Sequence, residues 1–321
     1  MSMKYLVRGD IHNADRPPLG RTESYTDDLM AKQAETFDIA ARTHCDFIID
    51  TGDLFHKFRG VINANRLLAK LIELYQKCPV KIYSVGGNHD FSYSGIKSVF
   101  SMPFGVMIRA GVINWLSEAR VIEAGDEKAL FVPRNWEPYI DSLPRIFKLK
   151  EAEAVLRPKN GYTIMVAHAS IVPPGDDRIF PHHKADQLPT DMLHVLHSGH
   201  LHEDLGIHQL PSGCWFTNIG SIARVERSKH NLERRPEVMT VTLDHGEIMF
   251  ERYPLTSARP AEDVFFDQEV NVERDLGDFA ENLASALEIE DTPLEELIAR
   301  YTEDDSPEVV ERLRHYLEEA Q

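Results

Sequence analysis

Phe47-Ile48-Ile49-Asp50-Thr51-Gly52-Asp53-Leu54-Phe55-His56 begins as an apolar run and ends in a Gly-Asp pair followed by a histidine. The aromatic and β-branched start reads as a buried strand, and the Gly-Asp pair puts a carboxylate just beyond its carboxyl end. The same arrangement recurs along the chain. Upstream, Tyr5–Val7 leads to Asp10-Ile11-His12. Downstream, Val80–Val85 leads through Gly86 to Gly87-Asn88-His89-Asp90, Tyr162–Ala167 to His168, and Leu193–Leu196 to Gly199-His200-Leu201-His202. Between these runs, residues 28–42 and 62–77 carry apolar side chains at helical spacing, the second through Leu67, Leu68, Leu71, Ile72 and Tyr75. Strands alternating with helices predict a helix-covered sheet, whose ligands collect beyond the carboxyl ends of its strands.

Asp10, His12, Asp53, Asn88, His168, His200 and His202 therefore converge as candidate metal ligands. Carboxylate, imidazole and amide oxygen together suit manganese, iron, zinc or cobalt, and suit calcium poorly. One ion would leave several of these groups unused. Two ions roughly 3.5–4 Å apart can acidify a bridging water and clamp a phosphoryl oxygen during in-line attack. His182, His183, His194, His197 and His208 fall outside the clusters and read as ordinary surface or core histidines.

The rest of the chain bounds this chemistry. Length permits one large domain or one with an appendage. No apolar stretch is long enough to span a membrane, and the N-terminus runs straight into a strand, so a cytoplasmic protein is expected. Cys45, Cys78 and Cys214 are few and far apart, as in a reducing compartment. The net charge of −17 is unevenly placed: residues 259–321 hold 20 acidic and 5 basic groups, and residues 1–258 hold 32 and 30. We thus divide the chain into a catalytic domain, 1–258, and an acidic helical region, 259–321. That region shows apolar stripes through Leu276, Phe279, Leu283 and Leu287 and through Val310, Leu313 and Leu317, with a helix start at Thr292-Pro293-Leu294-Glu295. Within 91–160 the pattern gives short strands at Val112–Leu116 and Ala129–Val132 and a Pro- and charge-containing excursion near 133–160. Later strands are expected at Trp215–Ile219, Val238–Leu243 and Ile248–Tyr253, the last two joined by a turn at Asp244-His245-Gly246.

Asp-x-His, Gly-Asp-x-x-His, Gly-Asn-His-Asp, a lone His and Gly-His-x-His, in that order, resemble the signature of the calcineurin-like metallophosphoesterases. The resemblance runs from Asp10 to His202 and takes in the sheet to about 254. It implies a four-layer α/β/β/α sandwich with a small C-terminal helical appendage, and a two-metal hydrolase. By that resemblance Asp10, His12, Asp53 and His202 hold one ion, while Asp53, Asn88, His168 and His200 hold the other. His89 then faces the scissile phosphate, oriented by Asp90. His56, together with Gly220-Ser221, is similar to the SbcD-type nucleases of double-strand-break repair. That similarity implies a manganese-dependent (Mn2+) 3'-5' DNA exonuclease or endonuclease subunit, with His56 on the phosphate. It also implies as partners DNA, an SbcC-type coiled-coil ATPase docked by the C-terminal helices, and a second copy of the chain.

Two basic groups bear on DNA. Lys57 and Arg59 follow His56, and Arg224, Arg227, Lys229, Arg234 and Arg235 follow Gly220-Ser221. The latter read equally as a DNA-backbone contact or a solvated loop. A phosphodiesterase or phosphatase acting on small (cyclic) nucleotides shares every ligand and remains the alternative. A non-catalytic scaffold is disfavoured, because buried carboxylates and imidazoles are costly without ions.

Overall fold

A computed structural model describes residues 1–18, 20–57, 64–92 and 94–266. Strand and helix alternate through β1 (Met3–Arg8), α1 (Tyr25–Arg42), β2 (Phe47–Asp50), α2 (Ala64–Tyr75), β3 (Lys81–Ser84), α3 (Pro103–Arg109) and β4 (Asn114–Trp115). The chain continues as β5 (Arg120–Ala124), β6 (Glu127–Arg134), the short α4 (Glu151–Val155) and β7 (Tyr162–His168). A small pair, β8 (Ile171–Val172) and β9 (His183–Lys184), precedes β10 (Val195–Gly199), β11 (Asp204–Gln209) and β12 (Trp215–Ile219). Then come α5 (Lys229–Glu233), β13 (Glu237–Asp244), β14 (Glu247–Pro254) and α6 (Ala261–Val264).

The strands form two six-stranded sheets, ordered β14-β13-β1-β2-β3-β4 and β11-β12-β10-β7-β6-β5. Each has four parallel strands, β1 to β4 in one and β12, β10, β7 and β6 in the other. Antiparallel strands complete the edges, with β13 and β14 on the first sheet and β11 and β5 on the second. Side-chain alternation explains the layering. Tyr5, Val7, Phe47 and Ile49 face Phe131, Ile164, Val166 and Val195 across the space between the sheets. Leu6, Ile48 and Ile82 turn the other way, against Phe37, Ala40, Leu71 and Phe104 of the helices. On the far side, Leu130, Met165, Leu196 and Phe216 pack under Ile140, Phe147, Leu188 and Leu193. This second outer layer is thin, made of α4 and single 3-10 turns such as Ile140–Ser142 and Pro144–Phe147.

α1 opens with Asp27 and Asp28, which complement its positive end. It closes in a Schellman turn, where His44 takes a left-handed backbone (φ 55°) and Cys45 N donates to Ala40 O at 2.8 Å. The edge strands β5 and β11 and helix α3 were not evident from sequence. β5 and β11 are half-exposed and have few apolar residues to mark a period. Residues 1–265 form one compact unit, and Arg259–Phe265 belong to it through α6. The helix starts and stripes read at 276–317, and Arg59, lie outside the described residues. Among the described residues no helix is long and apolar enough to cross a membrane.

One buried ion pair sets the two leading strands. Arg8 and Asp50 are register partners at the ends of β1 and β2. Arg8 donates through Nε and Nη2 to Asp50, through Nη1 to Thr36 Oγ1 and through Nη2 to Tyr75 Oη, all of it buried. The pair ties both strand ends to α1 and α2 just before the loops that carry Asp10 and Asp53. Arg8→Ala should strand the Asp50 carboxylate and cost about 3–5 kcal/mol in chemical denaturation. The double variant Arg8→Met, Asp50→Leu should recover most of that loss; if it were as unstable as the single variant, the cost would come from packing instead of the unpaired charge.

Candidate metal centre

All five motif loops leave their strands at one rim. The loop after β1 runs beside the loop after β2, with Ile11 N and His12 N donating to Asp53 O at 3.0 and 2.9 Å. The other loops approach closely only where side chains are absent. A Cβ on Gly87 would overlap Asp53 Oδ1, and one on Gly52, itself at φ 111°, would overlap the His168 ring. His12, Asp53 and His200 adopt left-handed backbone, φ 54°, 50° and 88°. Strain of this kind persists only where the surrounding structure enforces it, and it concentrates at functional sites.

The side chains form two groups that share Asp53. Asp10, His12, Asp53 and His202 bring one ligand atom each to within 4.8 Å of one another, and so do Asp53, His168 and His200. In the first group His12 Nε2 and His202 Nε2 face each other at 2.8 Å, with Asp53 Oδ2 3.7 Å from the former and Asp10 Oδ2 3.6 Å from the latter. In the second, His168 Nε2 lies 3.3 Å from Asp53 Oδ2 and 3.1 Å from Asn88 Oδ1. His168 Nδ1 donates to Thr51 O at 2.9 Å, which leaves Nε2 as its ligand atom. Two carboxylates, an amide oxygen and four imidazoles converge, Asp10, His12, Asp53 and His168 buried and Asn88, His200 and His202 half-buried, and they fit a pair of divalent cations.

The protonation states follow from this crowding. Burial, reinforced by His202, holds His12 well below the usual histidine range, and burial pushes His202 down to about 4. His200 is lowered in the same way. Burial alone would raise Asp53, but the neighbouring imidazoles, His168 foremost, outweigh it and keep the carboxylate ionised. Burial likewise opposes a charge on His168, yet Asp53 pushes it up to about 10.

His56 and His89 stack beside this centre with ring centroids 5.6 Å apart, and both adjoin His12. His56 is neutral, its pKa pushed down to about 3 by burial and by His89. His89 Nδ1 donates to His56 O at 2.5 Å, and its backbone N–H goes to Asp53 Oδ1 at 2.9 Å. Asp90, expected to orient the His89 ring, instead accepts from Leu54 N, Phe55 N and Gly87 N. As the next residue along the turn, its side chain points the other way, and it clamps the two loops together from beneath. The His56 carbonyl does the orienting.

Several groups take positioning roles that were not read from the sequence. Ser221 spans two ligand loops, with its N donating to His202 O and its Oγ to Asp10 O. Tyr25 Oη donates to His12 O at 2.8 Å, and the buried Lys32 Nζ donates to Ile222 O. The basic stretch after Gly220-Ser221 is partly inward: Arg224 donates to Arg259 O and Arg234 to Ala223 O, while Arg235, which donates to Leu255 O, and Arg227 are exposed and Lys229 Nζ lies 4.0 Å from Glu233 on the surface. His182, His183, His194, His197 and His208 all bond elsewhere, to Phe180 O, Ile140 O, Thr163 N, Thr217 Oγ1 and Leu205 O. A cleft of about 450 Å³ opens beside His202, with Glu203, Glu226 and Glu233 in its lining.

The calcineurin-like phosphoesterase family profile matches residues 3–204. The chain is 23% identical over 295 residues to the double-strand break repair protein MRE11 of Encephalitozoon cuniculi, covering 80% of this chain and 48% of that protein. It is 26% identical over 141 residues to the DNA double-strand break repair protein Mre11 of Saccharolobus solfataricus, covering 43% and 34%. The chain thus spans about half the length of the first relative and a third of the second. Among solved structures it resembles a dimetal phosphatase from Danio rerio, with TM-score 0.52 and 13% identity over 79% of this chain and 96% of that one. A Thermus thermophilus protein gives TM-score 0.50 at 13% identity, covering 78% and 99%. At such identities the likeness to these structures is one of fold.

Asp53→Ala removes a ligand from both groups, so the purified variant should carry neither ion in elemental analysis, where loss of one alone would mean Asp53 is not shared. A cation taking the His168 Nε2 lone pair must displace the proton that Asp53 holds there. Affinity should therefore rise with pH, about tenfold per unit between pH 6 and 8 for one displaced proton. Titration calorimetry in buffers of different ionisation enthalpy checks it; binding without proton release would show His168 already neutral.

Proposed function

This chain belongs to the calcineurin-like phosphoesterases, metal-dependent hydrolases of phosphoesters, and from that premise we propose a manganese-dependent 3'-5' DNA exonuclease. We place it as the nuclease subunit of an SbcCD-type repair or recombination complex in the cytoplasm. The observation that carries this reading is the pair of ligand groups sharing Asp53, flanked by the stacked His56 and His89. The two repair-protein relatives support the choice of DNA as substrate.

Asp10, His12, Asp53 and His202 would hold one ion, and Asp53, Asn88, His168 and His200 the other. When bound, such ions supply Lewis acidity that neutralises phosphoryl oxygens and acidifies water. The chain's own residues do the rest. His89, held at Nδ1 by the His56 carbonyl, keeps Nε2 for a phosphoryl or leaving-group oxygen. His56, half-buried and neutral, lies against that ring and steadies the phosphate by hydrogen bonding. Asp90 keeps the two loops in register. The acidic region beyond 266 is assigned to docking on the coiled-coil ATPase, which together with a second copy of the chain provides much of the grip on DNA.

A second reading, a phosphodiesterase for cyclic or mononucleotides, is favoured by the inward turn of Arg224 and Arg234, which thins the basic surface. Labelled duplex DNA and a panel of nucleotide phosphoesters, offered to the manganese-loaded protein, separate the two. Turnover of small phosphoesters alone would establish the second. His56→Ala should keep both ions and lose exonuclease turnover by about a hundredfold or more. Loss of the ions would show that His56 is a ligand.

A further inference from the structure

Six described residues other than glycine adopt left-handed backbone: His12, His44, Asp53, Tyr139, His200 and His245. Three belong to the metal centre. His44 ends α1, and His245 turns the β13–β14 hairpin. Tyr139, at φ 70°, follows Pro138 in a turn closed by Ile140 N donating to Glu137 O at 3.0 Å, and the residue is 77% exposed.

Its position gives it a purpose. Trp136 N donates to Gly86 O at 3.0 Å, two residues before Asn88. Asp141 Oδ1 accepts from Ser170 N at 2.7 Å, two residues after His168. Ile140 is buried in the outer core, and its carbonyl accepts from His183 Nε2. Residues 136–141 thus bridge two ligand loops, with Tyr139 between the anchors. Three residues of chain reach at most about 11 Å, so Tyr139 stays within that distance of Trp136.

Charge favours a polyanion on this side. Arg145, Lys148 and Lys150 follow on the same excursion, all three exposed, with Lys150 near Glu153. The cleft beside His202, in contrast, is lined by Glu203, Glu226 and Glu233 with Lys229 and His230.

We propose that Tyr139 positions the substrate by stacking on the nucleobase next to the scissile phosphate, so that the centre takes an unpaired strand end whatever its sequence. This rests on the nuclease reading above. A base stacks on an aromatic ring through its π-face, which every base has, and the Glu137–Ile140 turn holds the backbone that carries the ring. Arg145, Lys148 and Lys150 then follow the backbone of the same strand.

The test uses the manganese-loaded full chain and single-stranded oligonucleotides with one cleavable phosphodiester. A base or an abasic residue stands on either side of it in turn. Wild type should prefer the base-bearing substrate at one of the two positions by about 5- to 150-fold in kcat/KM, the range for one stacked base. Tyr139→Ala should slow only the base-bearing substrate and so abolish the preference, and Tyr139→Trp should keep it. Tyr139→Gly relieves the left-handed backbone, so it should melt no lower than wild type and still lose the preference, which separates the ring from the fold. A wild type indifferent to both abasic positions, or an Ala variant that keeps the preference, overturns the proposal while leaving oligonucleotide cleavage intact. A wild type that cuts no oligonucleotide yet turns over small phosphodiesters overturns the nuclease reading itself.

Discussion

The Asp53 carboxylate stands between the two halves of the sandwich. Its Oδ2 lies 3.3 Å from His168 and 3.7 Å from His12, and its Oδ1 takes the His89 N–H. His12 follows a strand of the first sheet, whereas His168 ends a strand of the second. One buried anion therefore fixes how the sheets meet at the rim, and no other charge at the centre could replace it without moving both. The left-handed residues, and the glycines that tolerate no Cβ, are the conformational cost of bringing five loops to that single group.

Behind it lies a layer of buried cations whose donors are mostly taken up by carbonyl oxygens. Lys32 holds Ile222, Arg234 holds Ala223, and Arg21 holds Arg224 and Val264. They press the segment after Gly220 against Asp10, whose own carbonyl accepts from Ser221 and Ile222. Burial and the neighbouring arginines hold the Lys32 ammonium well below the usual lysine range, so this layer stabilises geometry more than it contributes charge.

The sequence was legible where physics writes it in residue types. Parallel strands buried on both faces, such as Phe47–Asp50 and Tyr162–His168, read as apolar runs, and the groups beyond them carry chemistry in their names. The half-exposed edge strands, Arg120–Ala124 and Asp204–Gln209, have no such run. The partners of His168 Nδ1 and His89 Nδ1 are backbone carbonyls of Thr51 and His56, which any residue could supply. The resemblance implied that Asp90 orients the His89 ring, whereas consecutive side chains in this turn diverge and Asp90 accepts from backbone N–H groups. The arginines after Gly220-Ser221 look the same in sequence whether they face water or a carbonyl.

The place of β1 in its sheet has a consequence for how the polypeptide is made. This first strand is flanked by β2 on one side and by β13 on the other, with Met3 against Leu243 and Val7 against Met239. On a translating ribosome, one edge of the leading strand stays bare until the β13–β14 hairpin emerges, roughly ten seconds or more at ordinary elongation rates. Such a long-range closure is slow to nucleate and exposes a sticky edge meanwhile. The nascent protein thus completes its ligand set only after His202, and closes the first sheet only after the hairpin beyond it has left the exit tunnel.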